Sequence, residues 1–170
     1  MSLEAFRTRV LPAKNKLYRF AFRLMGNQDE AKDIVQEVFM RVWKRRDEMH
    51  TYLNMEAWCM QITKNLCYDK LKSKAHQNRV ALPEHWQIED IASTPDQKAE
   101  TKDIMNRIHG FISKLPDKQK QVIQLRDIEG YSYKEIGEIL EIDINQVKVN
   151  LFRARQAVRE SLVKITSYGL

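Results

Sequence analysis

One stretch of the sequence, EAWCMQITKNLCYDKLK (residues 56–72), carries side chains that suit contact with single-stranded nucleic acid. At roughly 100° per residue, a helix over this stretch would place two aromatic rings, two amides and two cations on one half of its surface. They are Trp58, Gln61, Lys64, Asn65, Tyr68 and Lys72. Rings that stack on bases and cations that meet phosphates are what a single strand requires. The alternative is that Trp58 and Tyr68 pack against a neighbouring helix, and the pattern alone favours neither.

A second candidate surface lies in EIGEILEIDINQVKVNLFRAR (residues 135–155), which reads as two short helices separated by a turn. On the second helix, apolar residues that share a face with Val147 should anchor it: Ile144, Leu151, Ala154 and Val158. The opposite arc holds Asn145, Lys148, Val149, Phe152, Arg153 and Gln156. Cations and amides can contact base edges in a major groove, and apolar groups can contact thymine methyls. Two helices of a bundle remain the alternative, but an exposed Phe152 and the basic charge favour a DNA-reading helix-turn-helix.

A third surface is acidic. Asp33 and Glu37 lie four residues apart, so they share one helix face, with Gln36 beside them. An exposed pair of this kind is more typical of a protein-docking surface than of acid/base catalysis. The sequence has no glycine-rich phosphate loop or nucleophile elbow. Its four histidines lack ligand spacing, and Cys59 and Cys67 would be separated by about 12 Å along one helix. We therefore expect no enzyme activity, no metal and no cofactor.

The elements that must position these surfaces are helices. In the N-terminal part, Gly26 ends one helix and Asn27, with Glu30 at the capping-box position, begins the next. A third helix is predicted from about Glu56 to Lys72. In the C-terminal part we expect caps at Thr94-Pro95, Ser132 and Asp143, and a buried stripe on the first helix that consists of Ile104, Met105, Ile108, Phe111, Ile112 and Leu115.

Charge divides the 170-residue chain into three parts. Residues 1–76 carry 15 basic and 9 acidic side chains (net +6), residues 77–103 carry 3 and 6 (net −3), and residues 104–170 carry 11 and 8 (net +3). This distribution is typical of two modules that face nucleic acid and are joined by an acidic linker. No apolar run reaches the roughly 20 residues that cross a bilayer, and MSLEAFRTRV has no signal-peptide core, so we expect a cytoplasmic protein.

At this point the sequence resembles the bacterial sigma-70 family, in its small two-domain extracytoplasmic-function (ECF) group. NQDEAKDIVQEVFMRVWKRR looks like region 2.2 of the family, and the helix from Trp58 to Lys72 looks like regions 2.3 and 2.4. LPDKQKQVIQLRDIEGYSYKEIGEILEIDINQVKVNLFRAR resembles region 4 almost throughout. The fold that this resemblance implies is all-α: two small helical domains joined by a flexible linker, the second a winged-helix-like four-helix domain with a helix-turn-helix. Region 2 would span residues 1–76, the linker 77–103 and region 4 residues 104–170.

The resemblance implies a promoter-specificity subunit of RNA polymerase. Asp33, Gln36 and Glu37 match the surface that docks on the clamp coiled coil of the largest polymerase subunit, and a second contact is expected with the flap region. Asn65 matches a base-reading position for the minus-ten element, which favours the DNA role of the face that contains Trp58 and Lys72. The positions that match minus-thirty-five contacts are Lys148, Val149, Phe152 and Arg153 for the bases, and Arg126, Tyr133 and Lys134 near the phosphates; Asn145 joins them from the helical wheel.

The resemblance also implies an inhibitory anti-sigma factor, often a membrane protein, that would hold the chain at the inner membrane. Some residues depart from the family pattern: Val149 and Asn150 replace a small serine and an arginine, so the preferred promoter sequence does not carry over. The alternative function is a stand-alone LuxR-like regulator that binds repeated half-sites as a dimer. That alternative leaves residues 1–76 without a role.

Overall fold

The computed structural model of the chain describes residues 2–51, 54–77 and 98–167. Within these ranges the backbone forms helices and turns and no β-strand, as the predicted all-α class requires. The α-helices are α1 (Leu3–Arg9), α2 (Lys14–Met25), α3 (Gln28–Lys44), α4 (Met55–Gln77), α5 (Lys98–Ser113), α6 (Asp117–Ile123), α7 (Tyr133–Leu140) and α8 (Ile144–Ser167). Two 3₁₀ turns, Leu11–Ala13 and Arg46–Thr51, and a π-helical turn, Gln124–Ile128, lie between them. The predicted cap at Thr94-Pro95 and most of the predicted linker lie outside the described residues.

Helices α1–α4 form the N-terminal half. Gly26 ends α2 in the left-handed conformation (φ 69°), which glycine adopts without a Cβ clash. Asn27 then caps α3 through its side-chain oxygen, which accepts from the amide of Glu30 at 3.0 Å. This is one of the two bonds of the predicted capping box; the return bond from the Glu30 side chain is not formed. The carboxylate of Glu30 forms an ion pair with Lys74 at the far end of α4. The helix end at Gly26, the cap at Asn27 and the ion pair between Glu30 and Lys74 thus join α2, α3 and α4.

The core of this half is made of side chains that repeat at helical spacing. Leu17 and Phe20 of α2, Val38 of α3, and Cys59 and Met60 of α4 are fully buried. Each large apolar side chain contributes about 1.5–3 kcal/mol on burial. Helix α1 closes one end through Phe6, whose ring meets Phe39 and Trp43 edge to face with centroids 6.1 and 5.4 Å apart.

Helices α5–α8 form the C-terminal half, in which α7, a turn and α8 make the predicted helix-turn-helix. Ser132 and Glu135 form both bonds of a capping box at the start of α7. Asp143 and Gln146 do the same for α8: the amide of Gln146 donates to Asp143 Oδ1 at 2.8 Å, and the amide of Asp143 donates to Gln146 Oε1 at 3.3 Å. A Cβ at Gly137 would lie 2.9 Å from the carbonyl oxygen of Ile142, so glycine allows the turn to fold back closely on α7.

Two expectations about buried stripes were wrong. Ile144 is 45 % exposed because it is the first residue of α8, ahead of the part of the helix that packs on the domain. Ile104 and Met105 are also exposed, whereas Ile112, later in α5, is buried. The first described turns of α5 therefore lie beyond the core that α6 and α8 form.

The two halves pack against each other. Helix α4 lies along α7, and α2 reaches the π-helical turn that follows α6. As a result α4 has buried side chains on opposite sides: Cys59 and Leu66 on one side, and Lys64, which pairs with Glu141 at the end of α7, on the other.

Candidate nucleic-acid interfaces

Helix α8 presents the predicted reading face to solvent. Val147, Leu151, Ala154 and Val158 are buried and hold one side of the helix against its domain. On the other side, Phe152 is 69 % exposed, which is an unusual position for a side chain of this size and polarity. The remaining predicted members are exposed as well: Asn145, Lys148, Val149, Arg153 and Gln156. This face can offer two cations, two amides and two apolar groups to a groove.

A cationic depression of about 570 Å³ lies beside Phe152. Lys148, Arg155 and Arg159 line it together with the ring of Tyr133. Arg155 is held by a bidentate contact with Asp127 of the π-helical turn, with donor–acceptor distances of 2.9 and 2.5 Å. The hydrogen bond to this carboxylate raises the pKa of the Arg155 guanidinium. The ion pair therefore fixes α8 relative to the π-helical turn, and it leaves Lys148 and Arg159 as the other cations that line the depression.

The residues predicted to lie near the phosphate backbone cluster at the start of α7. The Arg126 guanidinium lies over the Tyr133 ring, 4.8 Å from its centroid, and Nη1 donates to the carbonyl of Tyr131 at 2.8 Å. Lys134 is exposed in the first turn of α7. The amino end of a helix carries partial positive charge, so this cluster can accept a phosphate from DNA that lies across it.

The predicted strand-binding face of α4 is largely covered by the C-terminal half. Gln61 Nε2 donates to Glu141 Oε1 at 2.6 Å, and the side chain of Lys64, 6 % exposed, has its Nζ 3.8 Å from Glu141 Oε2. Burial lowers the pKa of Lys64. The hydroxyl of Tyr68 accepts a hydrogen bond from the side-chain amide of Gln121 on α6. Asn65 and Lys72 remain exposed on the same helix.

Trp58 is half-buried against the core of the N-terminal half. The guanidinium of Arg45 lies 5.5 Å from the centre of its ring. Trp58 therefore packs against neighbouring residues, as the second of the two interpretations expected. Part of its indole surface remains exposed to solvent.

The acidic face of α3 is open. Asp33, Gln36 and Glu37 are all exposed, and Met40, 53 % exposed, extends the same surface with an apolar group. Glu37 Oε1 accepts from Arg41 Nη2 at 2.9 Å, a pair one helical turn apart. An apolar group within a ring of charges is typical of a surface that docks on a protein.

The residues that join the two halves could not be identified from the sequence. Arg19 of α2 makes two hydrogen bonds to the buried carboxylate of Glu129, at 2.5 and 2.8 Å. Arg23 Nε donates to Gln124 Oε1 at 2.9 Å, and burial lowers the pKa of this guanidinium to about 10. Such residues look like ordinary surface charges in the sequence, because their partners are about a hundred positions away.

A second group of contacts runs from α4 and its approach to the start of α7. Tyr131 donates its hydroxyl to Glu56 at 2.8 Å, and Lys16 Nζ lies 2.9 Å from the same carboxylate. Asn54 Nδ2 donates to Glu135 Oε2 at 2.8 Å. Burial, followed by the hydrogen bond to Glu56, raises the pKa of Tyr131.

Three further features of the described part of the chain concern metal binding, thiol reactivity and membrane insertion. No group of three or more His, Cys, Asp or Glu side chains there is placed to hold a metal ion. Cys59 and Cys67 are free thiols in the core, and burial raises the pKa of each to about 12. No described helix is both long and apolar enough to cross a membrane.

Comparison with known proteins matches both halves. The family model described as Sigma-70 region 2 matches residues 11–77, and the one described as Sigma-70, region 4, matches residues 105–158. The chain is 32% identical to the ECF RNA polymerase sigma factor SigW of Bacillus subtilis over 88% of this chain and 84% of that protein. It is also 32% identical to the ECF RNA polymerase sigma factor SigE of Mycolicibacterium smegmatis, over 90% of this chain and 60% of that protein.

A solved structure shares the arrangement of helices. It is the sigma factor RpoE of Bartonella quintana in complex with the anti-sigma factor NepR, which aligns with a TM-score of 0.74 at 25% identity. The alignment covers 94% of this chain and 98% of that one. The likeness therefore extends over both halves.

Proposed function

Because this chain belongs to the sigma-70 family of RNA polymerase sigma factors, in the ECF group, we propose how its parts divide the work of promoter recognition. Residues 1–76 form the region 2 domain, which binds core polymerase and the minus-ten element. Residues 104–170 form the region 4 domain, which reads the minus-thirty-five element. Residues 77–103 form an acidic linker between them.

We assign the exposed face of α8 to the minus-thirty-five element. Phe152 and Val149 offer apolar groups that can contact thymine methyls, and Lys148 and Arg153 offer cations that can meet guanine acceptors or phosphates. The single observation that supports this most is the 69 % exposure of Phe152 between two cations on a helix whose opposite side is buried. Arg126, Tyr133 and Lys134 would hold the adjacent phosphate backbone, and Asn145 would lie at the start of the reading helix.

We assign helix α4 to the minus-ten element. Asn65 is exposed and can read a base that has left the duplex, while Lys72 on the same helix can meet a phosphate. Gln61, Lys64, Tyr68 and part of Trp58 would extend this surface once the C-terminal half moves away from it. Base flipping costs a few kcal/mol in general, so polymerase must hold the duplex at the same time.

The open acidic face of α3 is assigned to the clamp coiled coil of the largest polymerase subunit, through Asp33, Gln36 and Glu37. The flap region of the core enzyme would hold the region 4 domain. Phosphodiester chemistry belongs to polymerase, and the chain itself catalyses no reaction. The complex of the Bartonella quintana relative with an anti-sigma factor supports a similar inhibitory partner for this chain, which would work in the cytoplasm and be held at the membrane when that partner is membrane-bound.

Run-off transcription with purified core polymerase on a promoter library tests this proposal and returns the preferred sequence. Lys148→Ala and Arg153→Ala should lower promoter-dependent transcription about tenfold each, since one good base contact is worth about 1–3 kcal/mol. Both variants should keep wild-type affinity for core polymerase. If either loses core binding as severely as transcription, the division of labour between the halves is wrong.

The alternative, a stand-alone LuxR-like regulator, makes the opposite prediction. It requires the purified chain to bind palindromic DNA tightly without polymerase. The match of residues 11–77 to Sigma-70 region 2 argues against that alternative, since a lone helix-turn-helix regulator has no use for this half.

A further inference from the structure

We propose that Asp127 and Arg155 are positioning residues for promoter reading: their ion pair determines where the reading face of α8 lies relative to the residues that hold the phosphates. Neither residue is assigned a contact with DNA, and both would act through side chains that make such contacts. The inference rests on the proposed role of α8 in reading the minus-thirty-five element. It adds two residues that determine how selectively α8 reads.

The π-helical turn holds two different parts of the DNA-binding surface through two neighbouring side chains. The guanidinium of Arg126 lies over the ring of Tyr133, 4.8 Å from its centroid, at the start of α7. The carboxylate of the next residue, Asp127, instead holds Arg155 in the middle of α8 through two hydrogen bonds of 2.9 and 2.5 Å. One short turn therefore positions both the phosphate-facing side chains and the reading helix.

The backbone of this turn is fixed by its own hydrogen bonds. The amide of Glu129 donates to the carbonyl of Gln124 at 3.0 Å, which is the five-residue spacing of a π-helix. The amide of Tyr131 donates to the carbonyl of Leu125 at 3.0 Å, and Gly130 between them has φ 82°, a conformation that suits glycine. π-Helical turns are rare and occur frequently at functional sites. The turn can therefore act as a rigid link between α7 and α8.

Arg155 lies beside the reading face. It follows Phe152 by three residues on α8, so the two side chains are neighbours on the helix surface, and both line the cationic depression with Tyr133. The hydrogen bond with Asp127 raises the pKa of the Arg155 guanidinium, and the interaction with Tyr133 acts in the same direction. The guanidinium is thus held from the side of the π-helical turn and from the side of α7.

The geometry of the pair suits orientation better than stability. Two parallel hydrogen bonds between a guanidinium and a carboxylate fix direction as well as distance, whereas a lysine would meet the carboxylate as a point charge. The side chains of Arg155 and Asp127 are 44 % and 35 % exposed, and ion pairs that water reaches contribute little to folding. Binding sites, by contrast, require their side chains within about 0.5 Å and 10–20° of the productive geometry.

The variant Asp127→Asn separates positioning from a direct contact of Arg155 with a phosphate. It removes a negative charge near the DNA and frees the guanidinium, so a direct contact predicts tighter promoter binding with a steeper salt dependence. Positioning predicts poorer discrimination between promoters, because the side chains that face the bases are no longer held in place. The two roles therefore predict different results for the same substitution.

The test uses the full chain in holoenzyme with purified core polymerase. The probes are the promoter that run-off transcription on the library ranks highest and copies of it with single base pairs of the minus-thirty-five element exchanged. The ratio of the two affinities, at the base pair that wild type discriminates most strongly, does not depend on the fraction of correctly folded protein. Asp127→Asn and Arg155→Lys should each lower this ratio about fivefold, since one good base contact is worth about tenfold.

Two controls accompany these variants. The charge swap Asp127→Arg with Arg155→Asp restores an opposite-charge pair at unchanged net charge and should recover most of the ratio. Asp103→Asn removes the same charge from α5, where Asp103 Oδ2 lies 3.2 Å from Arg107 Nη2, and should keep the wild-type ratio.

The proposal is overturned if Asp127→Asn or Arg155→Lys keeps the wild-type ratio, if Asp127→Asn binds more tightly with a steeper salt dependence, or if the charge swap recovers nothing. A fall in the ratio for Asp103→Asn as large as that for Asp127→Asn would also overturn it, because net charge would then explain both. The proposed function fails separately: it falls if wild-type holoenzyme binds all the exchanged promoters as tightly as the original.

Discussion

The guanidinium of Arg23 and the imidazole of His109 lie 2.5 Å apart, from Nη2 to Nδ1, although they belong to opposite halves of the chain. A guanidinium has only donors, so Nδ1 must be the unprotonated, accepting nitrogen. Burial and the charge of Arg23 both lower the pKa of His109. Protonation of the ring therefore opposes this contact.

This arrangement predicts a loss of stability in mild acid. The unfolded chain, in which histidine titrates near about 6.5, takes up the proton before the folded chain does. The stability that the contact between Arg23 and His109 contributes is fully present above about pH 6.5, and it is lost as the pH falls from there through the lowered pKa of His109. His109→Gln keeps an acceptor for Arg23 without the titration, so the difference between its melting temperatures at about pH 7.5 and 5.5 should be smaller than in wild type. An equal difference would contradict the assignment to His109.

Phe152→Ala should separate promoter reading from stability. The ring is 69 % exposed, so its removal should change the free energy of unfolding by less than about 0.5 kcal/mol. Run-off transcription should fall about tenfold if the ring contacts a base. Val163→Ala is the matched control, because Val163 is 56 % exposed on the same helix but lies about three turns beyond Phe152, past the residues assigned to DNA. The assignment is wrong if both variants transcribe equally well.

Lys134→Ala should weaken promoter binding without changing sequence preference. A cation that contacts a phosphate contributes to every promoter alike, and its loss should reduce the salt dependence of binding by a slope of about 1. The measurement is holoenzyme affinity for promoter DNA over a series of salt concentrations. Lys164→Ala, exposed in the last turns of α8, serves as the control and should keep the wild-type slope.

The double variant Asp33→Ala with Glu37→Ala should lose affinity for core polymerase by about tenfold or more. The fold should tolerate it, since both side chains are exposed and the pair between Glu37 and Arg41 is a surface contact worth about 0.3–0.5 kcal/mol. Affinity is measured with immobilised core enzyme. Glu138→Ala with Glu160→Ala removes the same charge from exposed positions of the other half. If the two double variants lost equal affinity for core polymerase, the loss would reflect net charge, and the assignment of Asp33 and Glu37 to core binding would be wrong.

Local signals in the sequence predicted much of the fold. The caps at Asn27, Ser132 and Asp143 lie where the residue types require, because a side-chain oxygen three residues before a free amide is a short-range arrangement. Helical periodicity is also a short-range signal, and it predicted which residues of α8 are exposed. The exposure of Phe152 confirms this prediction. Ile144 shows the limit of periodicity, since the pattern cannot indicate where packing along a helix begins.

The contact between the halves could not be predicted in the same way. Arg19 and Glu129 are ordinary charges in the sequence, and only the tertiary fold brings them together. The face of α4 that mixes aromatic, amide and cationic side chains is unusual, but aromatic and amide groups suit both packing and DNA. The sequence could not show that Lys64 and Gln61 are covered by the C-terminal half, because that depends on how the two halves of the chain pack against each other.

The packing of α4 on α7, together with its proposed contact with DNA, constrains how the sequence of α4 can change during evolution. A substitution at Gln61 would alter both its proposed promoter contact and its hydrogen bond to Glu141, because the same side-chain amide makes both. Drift in promoter preference would then require a compensating change at the end of α7. Among related chains, the residues at these two positions should therefore vary together even though they lie 80 positions apart.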